Sequence, residues 1–438
     1  MIEKQKLKPI SGFPEWLPEV RMVEQAWIDR IRGVFESYGF APIETRSVEP
    51  VEVLLKQGDT DKEIYALRRL MEEEASASEA DYALHYDLTV PMARYVAANL
   101  NDLTFPFKRY QIQRAWRGER PQEGRFREFT QCDIDVVDTR DIPLHFDAEM
   151  PAIVYEVMQA LDVGPTVTRI NNRKVLEGFY RALGVEQPHE VIRIVDKQDK
   201  IGPDGVSKML TDELSLDGAT IGKVLDLARV TGTKADVVER VRALGITGDL
   251  LEQGLDELHF VMKALESYPE GAFVADLSVA RGLAYYTGTV YEVKFADDPS
   301  FPTICGGGRY ENLVGSMLNK HLPGIGISIG LTRIFSKLVR EGRIAPTRKT
   351  PTQVMVCYLP DASYEAVNGV ARTLRARGIK TELFHEPRKL KQQLAYASNK
   401  GIPHVWFPAV GAEGKHEVKT LATGAQADAD PESWLPEG

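Results

Sequence analysis

Between Tyr110 and Val136 the chain alternates with a period of two, the spacing of pleated strands. Tyr110, Ile112, Arg114 and Trp116 alternate with Gln111, Gln113, Ala115 and Arg117. After a break marked by Pro121 and Gly124, Thr130, Cys132, Ile134 and Val136 share one parity, and Phe129, Gln131, Asp133 and Asp135 share the other. The pattern predicts two strands joined by a loop. One face of the second strand suits a core, and the other presents an aromatic ring, an amide and two carboxylates. Arg117, Arg120, Arg125 and Arg127 crowd the loop beside Glu119. Such a cluster suits a ligand with a polyanionic part and a cationic or polar part, because the planar guanidinium donates two parallel hydrogen bonds to phosphate. A solvated hairpin tip is the competing reading; the unlike polar groups gathered on one strand face favour the ligand.

Elsewhere the same periodicities outline an α+β chain. Val20, Val23, Trp27, Ile31, Val34 and Tyr38 give residues 19–38 one apolar helix face, with Gly39 as the stop and an extended stretch from Pro42 to Pro50. This helix reads equally as a core helix or a dimer surface. The acidic run Met71–Ala80 reads as a solvated excursion. Asp87 and Thr89 lie two apart before Pro91, which suits the first turn of a helix. That pair could grip an ammonium group, or Thr89 could cap the helix; His85 reads as a structural histidine. Residues 172–265 are mostly helical in pattern and read as an insertion, since strand signals flank them on both sides; a second strand-rich block follows in 281–292, 305–310 and 324–330. The three glycines of Cys305–Tyr310 remove side chains where something must come close to the backbone, and their spacing is neither a dinucleotide fingerprint nor a Walker loop. Arg333 falls in the first turn of the helix that follows, where backbone N–H groups favour an anion.

After the basic, proline-punctuated run 343–351 the pattern becomes strand–helix–strand–helix–strand to Phe407, which predicts a small α/β domain with a mostly parallel sheet. Its run Arg388–Lys391 is open to two readings, an RNA contact or a solvated helix face.

Length and charge narrow the picture. The 438 residues suffice for two or three domains, and 43% hydrophobic with 27% charged residues is ordinary for a globular protein. A formal net charge of −10 argues against a generic DNA coater, while leaving room for a nucleic acid held on local basic patches. The three cysteines have no metal spacing and suggest a reducing compartment; with no apolar run of membrane length and no signal-like N-terminus, a cytosolic protein without membrane attachment is expected.

The arginine-rich hairpin, the segment Arg281-Gly-Leu-Ala-Tyr-Tyr-Thr-Gly288, the Cys305–Tyr310 segment and the glycine-rich strand–helix ending in Arg333 stand in an order that resembles the class II histidyl-tRNA synthetases. The likeness covers nearly the whole chain. It implies a class II antiparallel sheet of about seven strands flanked by helices, in a catalytic domain over 1–343 with the helical insertion at 172–265. An α/β anticodon-binding domain over 350–438 and a homodimer are implied as well. The implied activity is ATP-dependent attachment of L-histidine to tRNA(His) through a histidyl-adenylate, with Mg²⁺ accompanying ATP and no metal site in the protein.

Carried over by motif, the resemblance assigns the α-phosphate to Arg117 and Arg281, the adenine amino group to Glu119, the outer phosphates to Arg125 and Arg333, and adenine stacking to Phe129. Asp87, Thr89 and Gln131 match positions around the α-amino group, and Asp135, Tyr285 and Tyr286 positions around the imidazole. Arg120 and Gln122 are expected to meet the acceptor end of the tRNA. Two residues depart from the family pattern: Ala284 stands where aspartate is usual, and Ser47 where proline is usual. The rival reading is a non-catalytic paralogue that senses histidine or tRNA, such as a regulatory subunit of histidine biosynthesis. Such relatives often lack the Tyr-Tyr segment, its arginine or the C-terminal domain, all of which this chain has.

Overall fold

The alternation around residue 130 becomes two long antiparallel strands toward one edge of a mixed sheet. The structure, a computed structural model, describes residues 8–55, 63–69, 81–280, 285–311, 313, 320–346, 348–409 and 414–436. In chain order it begins α1 (Pro18–Ser37), β1 (Ala41–Pro42), β2 (Val48–Pro50), α2 (Val51–Leu54), β3 (Ala66–Leu67), β4 (Tyr82–Leu84), α3 (Thr89–Ala98), β5 (Phe107–Trp116) and β6 (Glu128–Val137). Then come α4 (His145–Leu161), β7 (Thr166–Asn172), α5 (Arg173–Ala182), α6 (Pro188–Val195), α7 (Gln198–Leu214), α8 (Gly218–Ala228), β8 (Thr231–Gly232), α9 (Val237–Arg242) and α10 (Asp249–Leu265). The core is completed by β9 (Phe273–Asp276), β10 (Tyr286–Phe295), β11 (Cys305–Tyr310), β12 (Gly324–Gly330) and α11 (Leu331–Arg340). The C-terminal elements are β13 (Val354–Val356), α12 (Tyr364–Ala376), β14 (Thr381–Leu383), α13 (Leu390–Lys400), β15 (His404–Phe407), β16 (Glu417–Thr420) and β17 (Gln426–Asp428).

The chain forms two compact units, one of Met1–Pro14 with Trp27–Arg340 and one of Glu15–Ala26 with Glu341–Gly438. The first half of α1 is grouped with the second unit and the rest with the first.

In the first unit the described residues build a nine-stranded sheet in the order β1-β5-β6-β12-β11-β10-β7-β9-β8. The run from β5 to β7 is antiparallel throughout, while β1 joins β5 and β9 joins β7 in parallel. Ile325, Ile327 and Ile329 of β12 sit directly opposite Val136, Ile134 and Cys132 of β6, so these residues share one face. All six are buried, and α11 packs on this side through Ile334 and Phe335, the latter edge-on to Trp27 with ring centroids 5.3 Å apart. The extended stretch from Pro42 to Pro50 divides, β1 entering the large sheet and β2 pairing with β4 in a three-stranded one.

In the second unit the sheet order is β14-β13-β15-β16-β17, and only the pairs with β13 are parallel. The expectation of a mostly parallel sheet therefore holds for half of its pairings. The two further strands, β16 and β17, pair antiparallel, as connections too short for a crossover helix require.

Candidate active site

On the face opposite the apolar one, register sets residues from three strands against one another. Asp135, Asp133 and Gln131 of β6 lie opposite Gly326, Ser328 and Gly330 of β12, and Gly308 and Gly306 of β11 lie beyond Gly326 and Ser328. The β11–β12 floor is thus nearly bare, and polar side chains of β6 lean over it. The result is a cleft with two lobes that share Arg117, Gln131, Gly306 and Ser328.

The larger lobe, about 200 Å³, is walled by Arg117, Glu119, Arg125, Phe129 and Arg333. Here the guanidiniums of the hairpin loop meet the one from the start of α11. Arg333 donates to the carbonyls of Gly124 and Thr303, which pin its side chain. Burial, with Arg117 and Arg125 close by, pulls its guanidinium down to about 10, still charged at neutrality. Arg125 pairs with Glu119 at 2.8 Å, and Arg117 donates to the carbonyl of Tyr86 at 3.0 Å while lying over the Phe129 ring, 5.2 Å from its centroid. A lobe with three converging guanidiniums, one carboxylate and an aromatic face suits a purine nucleotide with a phosphate chain.

The smaller lobe, about 100 Å³, is lined by Asp87, Thr89, Gln131, Asp135, Tyr285 and Tyr286, with Asp133 and Tyr310 between them. Asp135 accepts from the Tyr310 hydroxyl at 3.0 Å and lies 2.5 Å from Nη2 of Arg109, an arginine with no exposed surface. Burial is the main force raising its carboxyl to about 6, against the pull of Arg109 and Tyr310. Burial likewise raises Asp133 to about 7 and moves Asp87 upward. Gln131 donates to Ser328 Oγ at 2.6 Å. Three carboxylates with one fully buried arginine among them make this lobe suited to a cationic ligand.

Thr89 is the first residue of α3 and does not cap it: the Asp87 carboxylate accepts from the Val90 N–H at 3.1 Å, two residues earlier than the capping expectation. The pair therefore serves helix and cleft together. His85 is buried with its ring nitrogens 3.2 Å and 2.7 Å from the carbonyls of Arg46 and Arg114, as befits a structural histidine. Arg120 and Gln122 are exposed at the hairpin tip, and Gln122 borders a basin of about 1460 Å³ onto which both lobes open through Arg117. Ser47 accepts a 3.3 Å hydrogen bond from Gln113. Arg281 and Ala284, like Met71–Ala80, lie outside the described residues.

Three residues lining the cleft, Asp133, Tyr310 and Ser328, and the buried Arg109 that pairs with Asp135 are not identified as site residues by the sequence alone. The signal for three of them was parity. Asp133 shares a face with Gln131 and Asp135, Ser328 alternates with the isoleucines, and Arg109 extends the Gln111–Gln113 series.

Comparison with known proteins gives a consistent result. Residues 12–334 match the family model described as "Histidyl-tRNA synthetase", and 353–434 the one described as "Anticodon binding domain". The histidine–tRNA ligase of Thermobifida fusca is 56% identical over 97% of both chains, and that of Micrococcus luteus is 46% identical over 98% of this chain and 96% of its own. The crystal structure of histidyl-tRNA synthetase from Nostoc sp. PCC 7120 superposes with a TM-score of 0.85 at 38% identity, covering 97% of each chain. With a Bacillus halodurans protein titled as an ATP phosphoribosyltransferase regulatory subunit/histidyl-tRNA synthetase, the chain shares the fold, at 21% identity and a TM-score of 0.75 over 94% of this chain and 100% of that one. The two-lobed cleft on an antiparallel sheet and near-full-length identity of this order agree: the chain belongs to the histidyl-tRNA synthetase family.

Proposed function

We propose that the two lobes hold the two halves of one reaction, ATP in the larger and histidine in the smaller, and that the chain attaches histidine to tRNA(His). The observation that carries this reading is the shared boundary of the lobes at Arg117, Gln131, Gly306 and Ser328. A carboxylate held at that boundary meets the α-phosphorus of a nucleotide held beside it. The rival, a sensor without catalytic activity, gives way to full-length kinship with histidine–tRNA ligases.

In the first step the carboxylate of histidine attacks the α-phosphorus, the P–O bond to the β-phosphate breaks, and pyrophosphate leaves. Arg117 and Arg281 stabilise the charge that builds on the α-phosphate, Arg125 and Arg333 hold the outer phosphates, Phe129 stacks on adenine and Glu119 accepts from its amino group. Mg²⁺ arrives on the phosphates as part of the nucleotide substrate. Asp87, Thr89 and Gln131 receive the α-amino group; Asp135, with Tyr285 and Tyr286, receives the imidazole. In the second step the terminal 3′-hydroxyl of the tRNA attacks the acyl carbon and AMP leaves. No enzyme nucleophile is required; the rate comes from positioning and fixed charge.

The exposure of Arg120 and Gln122 at the hairpin tip, with Gln122 at the rim of the basin, supports contact with the acceptor end, and the anticodon-binding family match supports a reading role for residues 350–438. A catalytic domain over 1–343, a homodimer and a cytosolic location complete the proposal. Histidine-dependent ATP–pyrophosphate exchange, with the other amino acids as controls, followed by aminoacylation of tRNA(His), tests it. Exchange driven by histidine alone is the expected result; exchange with a different amino acid, or with none, overturns it.

A further inference from the structure

Two buried acceptor atoms in the smaller lobe have no hydrogen-bond donor within the described protein: Oε1 of Gln131 and Oδ1 of Asp133. They belong to successive positions on one face of β6. Asp133 is 2% exposed, so leaving its acceptor unpaired is costly. The neighbouring carboxylates are engaged: Asp135 by Tyr310 and Arg109, Asp87 by the Val90 N–H. Buried acceptors of this kind are paired in folded proteins, and a pair of them on one cleft wall marks the arrival point of a donor from outside. An imidazole N–H offers one donor in a fixed direction and reaches one acceptor. An ammonium carries three donors on a single nitrogen and can reach both, with its charge answering the carboxylate.

We propose that Asp133, together with Gln131, receives the α-ammonium of the amino-acid substrate and so discriminates the amino acid from its des-amino analogue. This rests on the smaller lobe being the histidine site, and adds to it a carboxylate that the family resemblance did not assign. Among the described residues, the groups around Asp133 are Ser328 of β12, which hydrogen-bonds its carboxyl and leaves Oδ1 without a partner, Arg109 from β5, Asp135 from its own strand, Asp87 and Arg117 at the rim, and the phenols of Tyr285, Tyr286 and Tyr310. Of these only Arg109 and Arg117 are cationic. Burial, opposed chiefly by Arg109, leaves the Asp133 carboxyl near 7, so an arriving ammonium displaces its proton.

The test measures inhibition of histidine-dependent exchange by histidinol, which keeps the ammonium and the imidazole, and by imidazolepropionate, which lacks the ammonium. In Asp133→Asn the inhibition constant for histidinol and the KM for histidine should rise about 10- to 100-fold. The constant for imidazolepropionate and the KM for ATP should hold within about twofold. Equal weakening of both inhibitors, or of neither, overturns the inference. Should the variant not fold, the wild-type protein decides: the ratio of the two affinities should favour histidinol more strongly as pH rises from 6 to 8, and a flat ratio overturns the assignment. Absence of histidine-dependent exchange in the wild type would instead bring down the reading of the lobe itself, whatever Asp133 does.

Discussion

The hydroxyl of Tyr310 on β11 reaches Asp135 on β6 at 3.0 Å although β12 runs between the two strands. It can do so because β12 presents Gly324 opposite Tyr310 and Gly326 opposite Asp135. A Cβ at Gly326 would stand 2.0 Å from Asp135 Oδ1, and one at Gly324 would stand 2.3 Å from the Tyr310 ring. The glycines of β12 are therefore part of the smaller lobe, as the space that its carboxylate and phenol occupy.

Gly326→Ala should force Asp135 out of its bond to Tyr310. Displacement on this scale is expected to lower kcat/KM for histidine by roughly 100-fold, with the KM for ATP little changed, and to cost about 1–3 kcal/mol of stability from overpacking. Steady-state exchange with each substrate varied, alongside thermal melting, checks both parts. A variant with wild-type histidine kinetics would mean that Asp135 does not act where the geometry puts it.

The raised carboxyls make a prediction about pH. Asp133 and Asp135 hold protons more tightly folded than unfolded, at about 7 and about 6 against 3.8. The ligand-free protein should therefore lose stability as pH climbs from about 4 through about 7, with a slope of at most ~1.4 kcal/mol per pH unit for each proton. Above the folded values the loss is complete. Asp133→Asn should flatten the part of this fall that lies between pH 5 and 7, as read by chemical denaturation across that range. An unchanged slope in the variant would contradict the assignment.

Arg333→Ala removes a guanidinium that also ties Gly124 in the hairpin loop to Thr303. Loss of phosphate stabilisation of this kind costs on the order of 100-fold in kcat, so ATP–pyrophosphate exchange should fall by about that factor. Because the anchor for the loop is lost together with the charge, Arg333→Lys should recover only a minor part. Full recovery by lysine would indicate that charge alone, without the two-carbonyl anchor, is what the site needs.

How much of this was readable beforehand depended on range. Strand period exposed the row Phe129, Gln131, Asp133 and Asp135, and the glycine-rich segments marked the bare floor, because both are local patterns. Arg109 stayed hidden, since a buried arginine is accounted for only by the carboxylate opposite, and that pairing depends on β5–β6 register. The strands β16 and β17 left little trace because both carry mostly polar residues, with Val418 their one buried apolar side chain. The cap expected at Thr89 falls to Asp87, a shift of two residues, which is the ordinary uncertainty of a helix start.

Arg169 was likewise invisible in the sequence. From β7 it binds Asp276 and Glu292 of the sheet, Ser278 just beyond β9 and Asp199 at the start of α7, tying the helical region to the sheet. Arg169→Ala leaves partly buried carboxylates unpaired, which should cost about 3 kcal/mol. Amide hydrogen exchange should then accelerate in α7 ahead of β5 and β6. Uniform acceleration across the unit would show that Arg169 serves general stability, with no special tie to the helices.

The most direct test of the two-lobed cleft is a crystal structure of the protein soaked with ATP and histidinol. The triphosphate should lie among Arg117, Arg125 and Arg333, with the imidazole against Asp135 and the ammonium against Gln131 and Asp133. Nucleotide density elsewhere, or histidinol in the opposite orientation with its imidazole at Asp133, would contradict the account.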